Sequence, residues 1–331
     1  VMLSSGGEKI FLSQTTLCGF GSCPTNEALL VTVKDRSVKK IKSDVPKVSA
    51  VDLSSDGQTA LFAGWEYDRA GKPTGGEIEL LSLRDGKSKS VSDSFPTYAG
   101  FTGAAGDIYV VSRLRIAILG GDTLKPKLTF MEGEKAERYY TALGVTSASA
   151  GPYLGVCSSK IYRDGMDNIV VSTETGQVDS LPDSLVPNGS QRRLLFSSRG
   201  RYLVVRGGGG YSLDLVELKN PNRLETTIKP GKSADIWGYA FSPDETKLLV
   251  GVSGNFSGTR AREGHLVMLD LVTGKQQMLK VRDELCPEMG IAITPDGSQF
   301  AIAGGGFVSF HDMSTLKEVS RYAHPFANEV Q

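Results

Sequence analysis

The chain has no excess of either charge and no apolar segment long enough to cross a membrane. Lysine plus arginine and aspartate plus glutamate both number 37, so the formal net charge is 0. This balance argues against nucleic-acid binding, which relies on a positive field. A membrane-spanning helix needs about 18 or more consecutive apolar residues, and no such run occurs. The first residues also lack a basic segment followed by an apolar one, so we expect a secretory signal peptide to be absent from this chain.

The sequence also lacks the short motifs that mark common catalytic and cofactor sites. Its 3 histidines are too few and too scattered to predict a metal site. No Cys-x-x-Cys-His motif occurs, which excludes covalent c-type haem, and no Gly-x-Ser-x-Gly elbow provides a serine nucleophile. The glycine runs at 207–210 and 304–306 neither open a predicted helix nor precede Lys and Ser or Thr, so they do not predict a phosphate-binding loop. We therefore predict no cofactor.

Cysteine is scarce, with 4 residues in 331, and two of them lie close together. Cys18 and Cys23 belong to a glycine-rich loop in which a short-range disulfide is sterically easy, so we predict a disulfide between them. Two alternatives stay open, namely a pair of free thiols in a reducing compartment and part of a metal site. The disulfide favours an extracytoplasmic location, either periplasmic or secreted.

Glycine is abundant, with 39 residues, and many of the glycines stand in a repeating pattern. A turn of the Ser-Asp-Gly or Pro-Asp-Gly type, or a variant of it, precedes a run of β-branched and aromatic residues. This unit recurs every 45 to 52 residues, which is about the length of one propeller blade. Gly and Asp tolerate the backbone angles of a tight turn, so each turn is predicted to join the innermost strand of a blade to the second strand. The repeats begin at Ser4, Ser54, Gly103, Ser149, Ser197, Ser242 and Thr294.

The repeats predict an all-β fold, a seven-bladed β-propeller of four-stranded antiparallel blades. Blades that stack side by side bury both faces of each sheet, so the whole chain is expected to form one domain over 1–331. The repeat at 239–279 shows the pattern most clearly. The predicted blades are 1–46, 47–95, 96–140, 141–189, 190–234, 235–285 and 286–322, followed by a tail at 323–331.

The last two repeats resemble a known family. Residues 266–275 read Leu-Val-Met-Leu-Asp-Leu-Val-Thr-Gly-Lys and residues 290–297 read Gly-Ile-Ala-Ile-Thr-Pro-Asp-Gly. Together with residues 308–316, they are similar to the strand and turn consensus of the YVTN or WD-repeat-like propellers of bacterial exported proteins. That family shares its fold with the large subunit of quinoprotein amine dehydrogenases. The resemblance implies a fold and not a function, because one fold hosts many functions.

The loops between second and third strands differ greatly in length, and in a propeller they emerge on one face. They are long at 14–27, 64–76, 158–167 and 253–264 and short in the other three repeats. Long insertions in a compact fold are commonly functional, so we predict that this face binds a partner; tolerated variation of surface loops is the alternative. Aromatic and arginine side chains concentrate binding energy at interfaces. The candidate binding residues are Trp65, Tyr67, Arg69, Tyr162, Arg163, Asp164, Asn255, Phe256, Arg260, Arg262 and, between two blades, Trp237.

These features favour a non-catalytic, exported propeller that acts as a protein-binding scaffold or as a subunit of a larger complex. Two alternatives stay open. One is a propeller hydrolase of the lactonase kind, with carboxylates and a divalent cation at the channel mouth. The other is the heavy subunit of a quinoprotein amine dehydrogenase, a scaffold for a small catalytic partner. Candidate residues for the hydrolase are Glu66, Asp164, Asn168, Asp235, Asn255 and Glu288.

Overall fold

The computed structural model describes the chain over several stretches, which together cover most of the predicted strands. The chain divides into two compact units, Val1–Ser180 and Leu181–Gln331, and each is considered by itself. The single domain expected over 1–331 therefore stays a prediction. The described residues are 2–3, 8–13, 27–32, 34–35, 37–45, 48–67, 73–93, 95–103, 106–112, 115–132, 144–147, 151–157, 168–181, 193–206, 212–218, 224–228, 234–254, 263–281, 290–304 and 307–323.

Every regular element in these residues is a β-strand, which confirms the all-β prediction. Within the described ranges the strands form seven four-stranded antiparallel sheets, each built from four consecutive strands. Consecutive strands pair because short connections return the chain antiparallel to itself. The number of blades in a closed ring stays a prediction. Over the same ranges, no helix has the length and apolar character that crossing a membrane requires.

The first unit contains the first four sheets, numbered here in chain order. The first sheet comprises β1 (Met2–Leu3), β2 (Lys9–Ser13), β3 (Glu27–Thr32) and β4 (Ser37–Lys42). The second comprises β5 (Val48–Leu53), β6 (Thr59–Tyr67), β7 (Pro73–Ser82) and β8 (Ser88–Asp93). The third comprises β9 (Pro96–Phe101), β10 (Ile108–Ser112), β11 (Arg115–Leu119) and β12 (Pro126–Glu132). The fourth comprises β13 (Gly144–Ser147), β14 (Tyr153–Cys157), β15 (Asn168–Ser172) and β16 (Val178–Ser180).

The second unit contains the remaining three sheets. The fifth sheet comprises β17 (Arg193–Phe196), β18 (Tyr202–Arg206), β19 (Leu213–Glu217) and β20 (Leu224–Ile228). The sixth comprises β21 (Ala234–Phe241), β22 (Lys247–Gly254), β23 (Glu263–Asp270) and β24 (Gln276–Val281). The seventh comprises β25 (Gly290–Ile293), β26 (Gln299–Gly304), β27 (Phe307–Asp312) and β28 (Glu318–Ala323).

Strand β6 shows how a sheet in the first unit buries both of its faces. Ala60 and Phe62 belong to an apolar cluster shared with the first sheet, whereas Leu61 and Ala63 belong to one shared with the third sheet. All four side chains are at most 1% exposed. Successive side chains of a strand point to opposite faces, so an unbroken apolar run is what a strand between two neighbouring sheets requires.

Strand β22 repeats this arrangement in the second unit. Leu248 and Val250 pack in a cluster with residues of the fifth sheet, and Leu249 packs in a cluster with residues of the seventh. Leu249, which lies between Leu248 and Val250 in the strand, therefore packs on the opposite face of the sheet. The second sheet and the sixth sheet are thus each packed between the apolar side chains of two neighbouring sheets.

The repeat turns that the structure describes in full join the first and second strands of their sheets. Between β5 and β6, Ser54 Oγ donates to Asp56 Oδ1 at 2.6 Å, and Gly57 has a φ of 66°, in the left-handed region that favours glycine. Between β21 and β22, Glu245 occupies the glycine position with a φ of 58°. Its carboxylate accepts a hydrogen bond of 2.6 Å from the Arg199 N–H in the equivalent turn of the fifth sheet. That contact offsets the conformational cost of a non-glycine residue there.

Candidate functional site

The hairpin formed by β6 and β7 is longer than the strands that flank it in the second sheet. In the described residues, β5 pairs with β6 as far as Gly64 and β8 pairs with β7 as far as Gly76. β6 and β7 stay paired beyond these points over residues 65–67 and 73–75, which we call the hairpin tip. Because no other described strand pairs with it, the hairpin tip projects from the sheet.

The hairpin tip corrects one boundary predicted from the sequence. The loop expected at 64–76 is shorter, because β6 continues to Tyr67 and β7 already begins at Pro73. Proline and glycine at the start of β7 predict a loop, since Pro removes a ladder donor and Gly weakens a strand. Pairing with the aromatic residues of β6, which favour strands, outweighs that local preference.

Trp65 and Glu66 are the described side chains of the hairpin tip on the β6 strand. Trp65 is half-buried and Glu66 is exposed. The backbone of Tyr67 belongs to the hairpin tip, and its side chain lies outside the described part of the structure. A half-buried tryptophan rests one part of its ring on the protein and presents the other part to solvent, as aromatic anchors at interfaces do.

Gly76 holds the base of the hairpin tip close to the third sheet. A Cβ atom at Gly76 would clash with Pro96 Cδ and would lie 2.9 Å from the carbonyl oxygen of Asp93. Any residue other than glycine would therefore displace backbone. At the adjacent Gly75, a Cβ atom would meet no atom within 4 Å. Close packing thus ends where the hairpin tip begins.

An ion pair between the second and third sheets lies at the same base. Arg115, at the start of β11, donates to Asp93 Oδ2 from Nε at 3.0 Å and from Nη2 at 2.5 Å. The Asp93 side chain is 1% exposed and that of Arg115 is 22% exposed. Removing one partner of such a pair would leave the other charge largely buried and uncompensated. Neither residue could be predicted from the sequence, because the contact joins two sheets and no local pattern signals it.

Trp237 lies at an irregularity of β21, where the register against β22 shifts between Ile236 and Gly238. Its side chain is half-buried and packs against the apolar cluster that contains Leu249 and Phe300. This packing gives Trp237 a place in the core of the second unit. Its predicted part in binding stays a prediction.

Most of the other predicted site residues lie outside the described residues. For the binding face these are Arg69, Tyr162, Arg163, Asp164, Asn255, Phe256, Arg260 and Arg262. Cys18 and Cys23 also lie outside, so the disulfide stays a prediction. The binding role of all these residues stays a prediction as well.

The hydrolase candidates are also only partly described. Glu66 is exposed at the hairpin tip, and the backbones of Asn168 and Asp235 lie in β15 and β21. Asp164, Asn255 and Glu288 lie outside the described residues. Among the residues that the structure describes, no group of three His, Cys, Asp or Glu side chains is placed to hold a metal ion.

His311, in β27, is buried within the seventh sheet. Its Nε2 lies 3.0 Å from Ser309 Oγ, and its ring stacks on Phe300 with a centroid separation of 5.0 Å. Burial lowers the pKa of His311 below its ordinary value, so the imidazole is neutral at neutral pH. This geometry is that of a packing residue.

Comparison with known proteins shows the fold and leaves the family open. No known protein family matches the chain, and no curated protein matches its sequence significantly. Among solved structures, dihydro-heme d1 dehydrogenase NirN matches with a TM-score of 0.65 at 14% identity, covering 98% of this chain and 65% of NirN. The periplasmic gluconolactonase PpgL of Pseudomonas aeruginosa matches with a TM-score of 0.55 at 16% identity, covering 96% of this chain and 95% of PpgL.

A third solved structure is the β-propeller domain of Cps50 (Swd1) from Myceliophteria thermophila. It matches with a TM-score of 0.55 at 13% identity, and the match covers 92% of each chain. At identities this low, the structural matches show the fold alone. They confirm the predicted β-propeller. Two of the three proteins are named as enzymes and the third as a propeller domain, so the likeness does not select a function.

Proposed function

We propose that the chain is a non-catalytic, exported β-propeller that binds a protein partner through the hairpin tip. The observation that carries the proposal is the position of Trp65, a half-buried aromatic residue on a paired segment that projects past its neighbouring strands. Tryptophan is among the residues that contribute most to binding at protein interfaces. Glu66, the next residue of the strand and exposed on its opposite face, adds a charge at the hairpin tip that steers the approach of a partner.

The base of the hairpin tip supports this role because it is closely packed and held by an ion pair. Gly76 packs against Pro96, and the ion pair of Asp93 with Arg115 lies beside that contact. Groups held in place before binding lose little conformational freedom when a partner docks, so more of the contact energy appears as affinity. Arg69, Tyr162 and Arg163, if they emerge at the same strand ends as predicted, would extend the binding surface around Trp65.

The extracytoplasmic location is part of the same proposal. It rests on the predicted disulfide between Cys18 and Cys23, and the fold likeness to a periplasmic gluconolactonase agrees with it. Thiol alkylation of the purified chain with and without reductant tests the disulfide. Protection of both cysteines until reductant is added is the expected result. Labelling of both without reductant would remove the support for export.

The binding role is tested by affinity capture from an extract of the source cells, with the variants Trp65→Ala and Tyr322→Ala beside the unmodified chain. Tyr322 is a matched aromatic control, because it is 61% exposed on the outer strand β28. Recovery of the partner should fall by about tenfold or more with Trp65→Ala, as for an interface hot spot, and should not change with Tyr322→Ala. Equal recovery with all three proteins would contradict the proposal. Lactone hydrolysis that a chelator abolishes would favour the hydrolase alternative.

A further inference from the structure

A cleft of about 1130 Å³ opens between the second and third sheets of the first unit. It lies at the opposite strand ends from the hairpin tip, because β6 begins beside the cleft and ends at the tip. Its walls are the turns that follow β5, β7, β9 and β11. The cleft therefore belongs to a different surface from the one proposed above.

The cleft has an apolar floor and a charged rim. Leu80, which is 3% exposed, and the half-buried Phe101 line it, and both belong to the apolar cluster that the second sheet shares with the third. The exposed lining residues are largely charged side chains at the tips of the turns, such as Asp85 and Asp122. An apolar floor below a charged rim suits a long side chain that has an aliphatic stem and a charged end.

The charges of the lining are unequal. Five aspartates against three lysines give a formal charge of −2, from Asp52, Asp56, Asp85, Asp107 and Asp122 with Lys87, Lys89 and Lys127.

The three lysines already have oxygen partners. Lys127 Nζ lies 2.7 and 2.9 Å from the two carboxylate oxygens of Asp107, and Lys89 Nζ donates to the Asp122 carbonyl at 2.9 Å. Lys87 Nζ lies 3.6 Å from Asp85 Oδ2. The lining thus keeps an excess of negative charge and of hydrogen-bond acceptors after its own cations are counted.

One wall of the cleft binds an ammonium group from outside its own sheet. Lys9, on β2 of the first sheet, donates from Nζ to the carbonyl oxygen of Gly57 at 2.8 Å. Gly57 belongs to the turn whose residues Ser54 and Asp56 line the cleft. Counted with the lining, this lysine from a separate sheet reduces the formal charge at the cleft from −2 to −1.

We propose that the cleft binds a lysine- or arginine-bearing segment of a partner protein. The aliphatic stem of the basic side chain lies over Leu80 and Phe101, and its charged end reaches the acidic rim at Asp85 and Asp122. Complementary charge sets the orientation and speeds the encounter, while the floor buries the stem. This site is independent of the hairpin tip.

The test measures binding of a short fluorescent oligolysine peptide to the whole chain by fluorescence polarisation, with oligoglutamate as the peptide of opposite charge. Asp122→Asn is compared with Glu174→Gln, which removes one exposed carboxylate from the turn after β15 of the fourth sheet. Oligolysine should bind more tightly than oligoglutamate, and more weakly as ionic strength rises. Asp122→Asn should weaken oligolysine binding about twofold to fivefold, and Glu174→Gln should not change it.

A second measurement locates the peptide. Asp52 lies in the wall of the cleft, where its carboxylate accepts hydrogen bonds from the N–H groups of Leu53 and Phe101. Saturating oligolysine should shift the carboxyl carbon resonance of Asp52 and leave that of Glu174 in place. The proposal would be overturned by any of three results. These are an unmoved Asp52 resonance, equal weakening of oligolysine binding by Asp122→Asn and Glu174→Gln, and equal binding of oligolysine and oligoglutamate. Trp65→Ala should leave oligolysine binding unchanged, so failure here is distinguishable from failure of the hairpin tip.

Discussion

Replacing Gly76 by alanine should destabilise the first unit, whereas the same replacement at Gly75 should not. The Cβ atom added at Gly76 would clash with Pro96 Cδ and would lie 2.9 Å from the Asp93 carbonyl oxygen and 3.0 Å from the Phe95 nitrogen. Two of these three atoms belong to the backbone and the third to a proline ring. The added Cβ atom can therefore be accommodated only if backbone of the second or third sheet moves. Overpacking of this kind costs about 1–3 kcal/mol in the free energy of unfolding.

Gly75 provides the control because a Cβ atom there meets nothing within 4 Å. Each glycine-to-alanine change also restricts the unfolded chain, which by itself stabilises the fold by about 0.4–1 kcal/mol. That contribution is common to both variants and cancels between them. The steric cost at Gly76, about 1–3 kcal/mol, is the difference that remains.

The assay is urea unfolding followed by the fluorescence of Trp65, the residue paired with Gly76. The chain has 2 tryptophans, so a Trp237→Phe background leaves Trp65 as the single reporter. The midpoint should be lower for Gly76→Ala than for Gly75→Ala, with similar slopes, because the surface exposed on unfolding is unchanged. Equal midpoints would contradict the close approach of the second and third sheets at the base of the hairpin tip.

Two further predictions concern the cores of the two units. Phe62→Ala should lower the free energy of unfolding by about 3–5 kcal/mol, because Phe62 is 1% exposed between the first and second sheets. Val319→Ala, at a site that is 57% exposed, should lower it by less than about 0.5 kcal/mol in the same urea titration. Burial holds the folded-state pKa of His311 below the ordinary 6.5, so the unfolded chain binds more protons and stability falls as the pH drops through 6.5. His311→Gln should flatten that part of the stability profile, and an unchanged slope would contradict the burial of the imidazole.

Features set by local chemistry could be predicted from the sequence. The turns that begin at Ser54 and Ser242 join first and second strands, because Ser, Pro, Asp and Gly favour a tight turn between two runs of strand-forming residues. The unbroken apolar run at 60–63 likewise predicts a strand between two other layers, and both of its faces are buried.

Features that depend on a neighbouring sheet could not be predicted in this way. The positive φ of Glu245 is compensated by the Arg199 N–H, and Asp93 is paired with Arg115 across two sheets. In both cases the partner follows only from the packing of adjacent sheets. The binding role of Trp65 is a prediction from its residue type and its loop, whereas its pairing with the closely packed Gly76 follows only from the register of the hairpin.

Docking of a protein partner on the hairpin tip is tested by cross-linking from the tip itself. A photoreactive amino acid at Glu66, which is exposed at the hairpin tip and follows Trp65 in the strand, is compared with the same amino acid at Glu174, exposed in a turn of the fourth sheet. In source cells, the photoreactive residue at position 66 should give a discrete cross-linked product that disappears with Trp65→Ala. The same residue at position 174 should give none. The same product from both positions, or no product from Glu66, would contradict the claim.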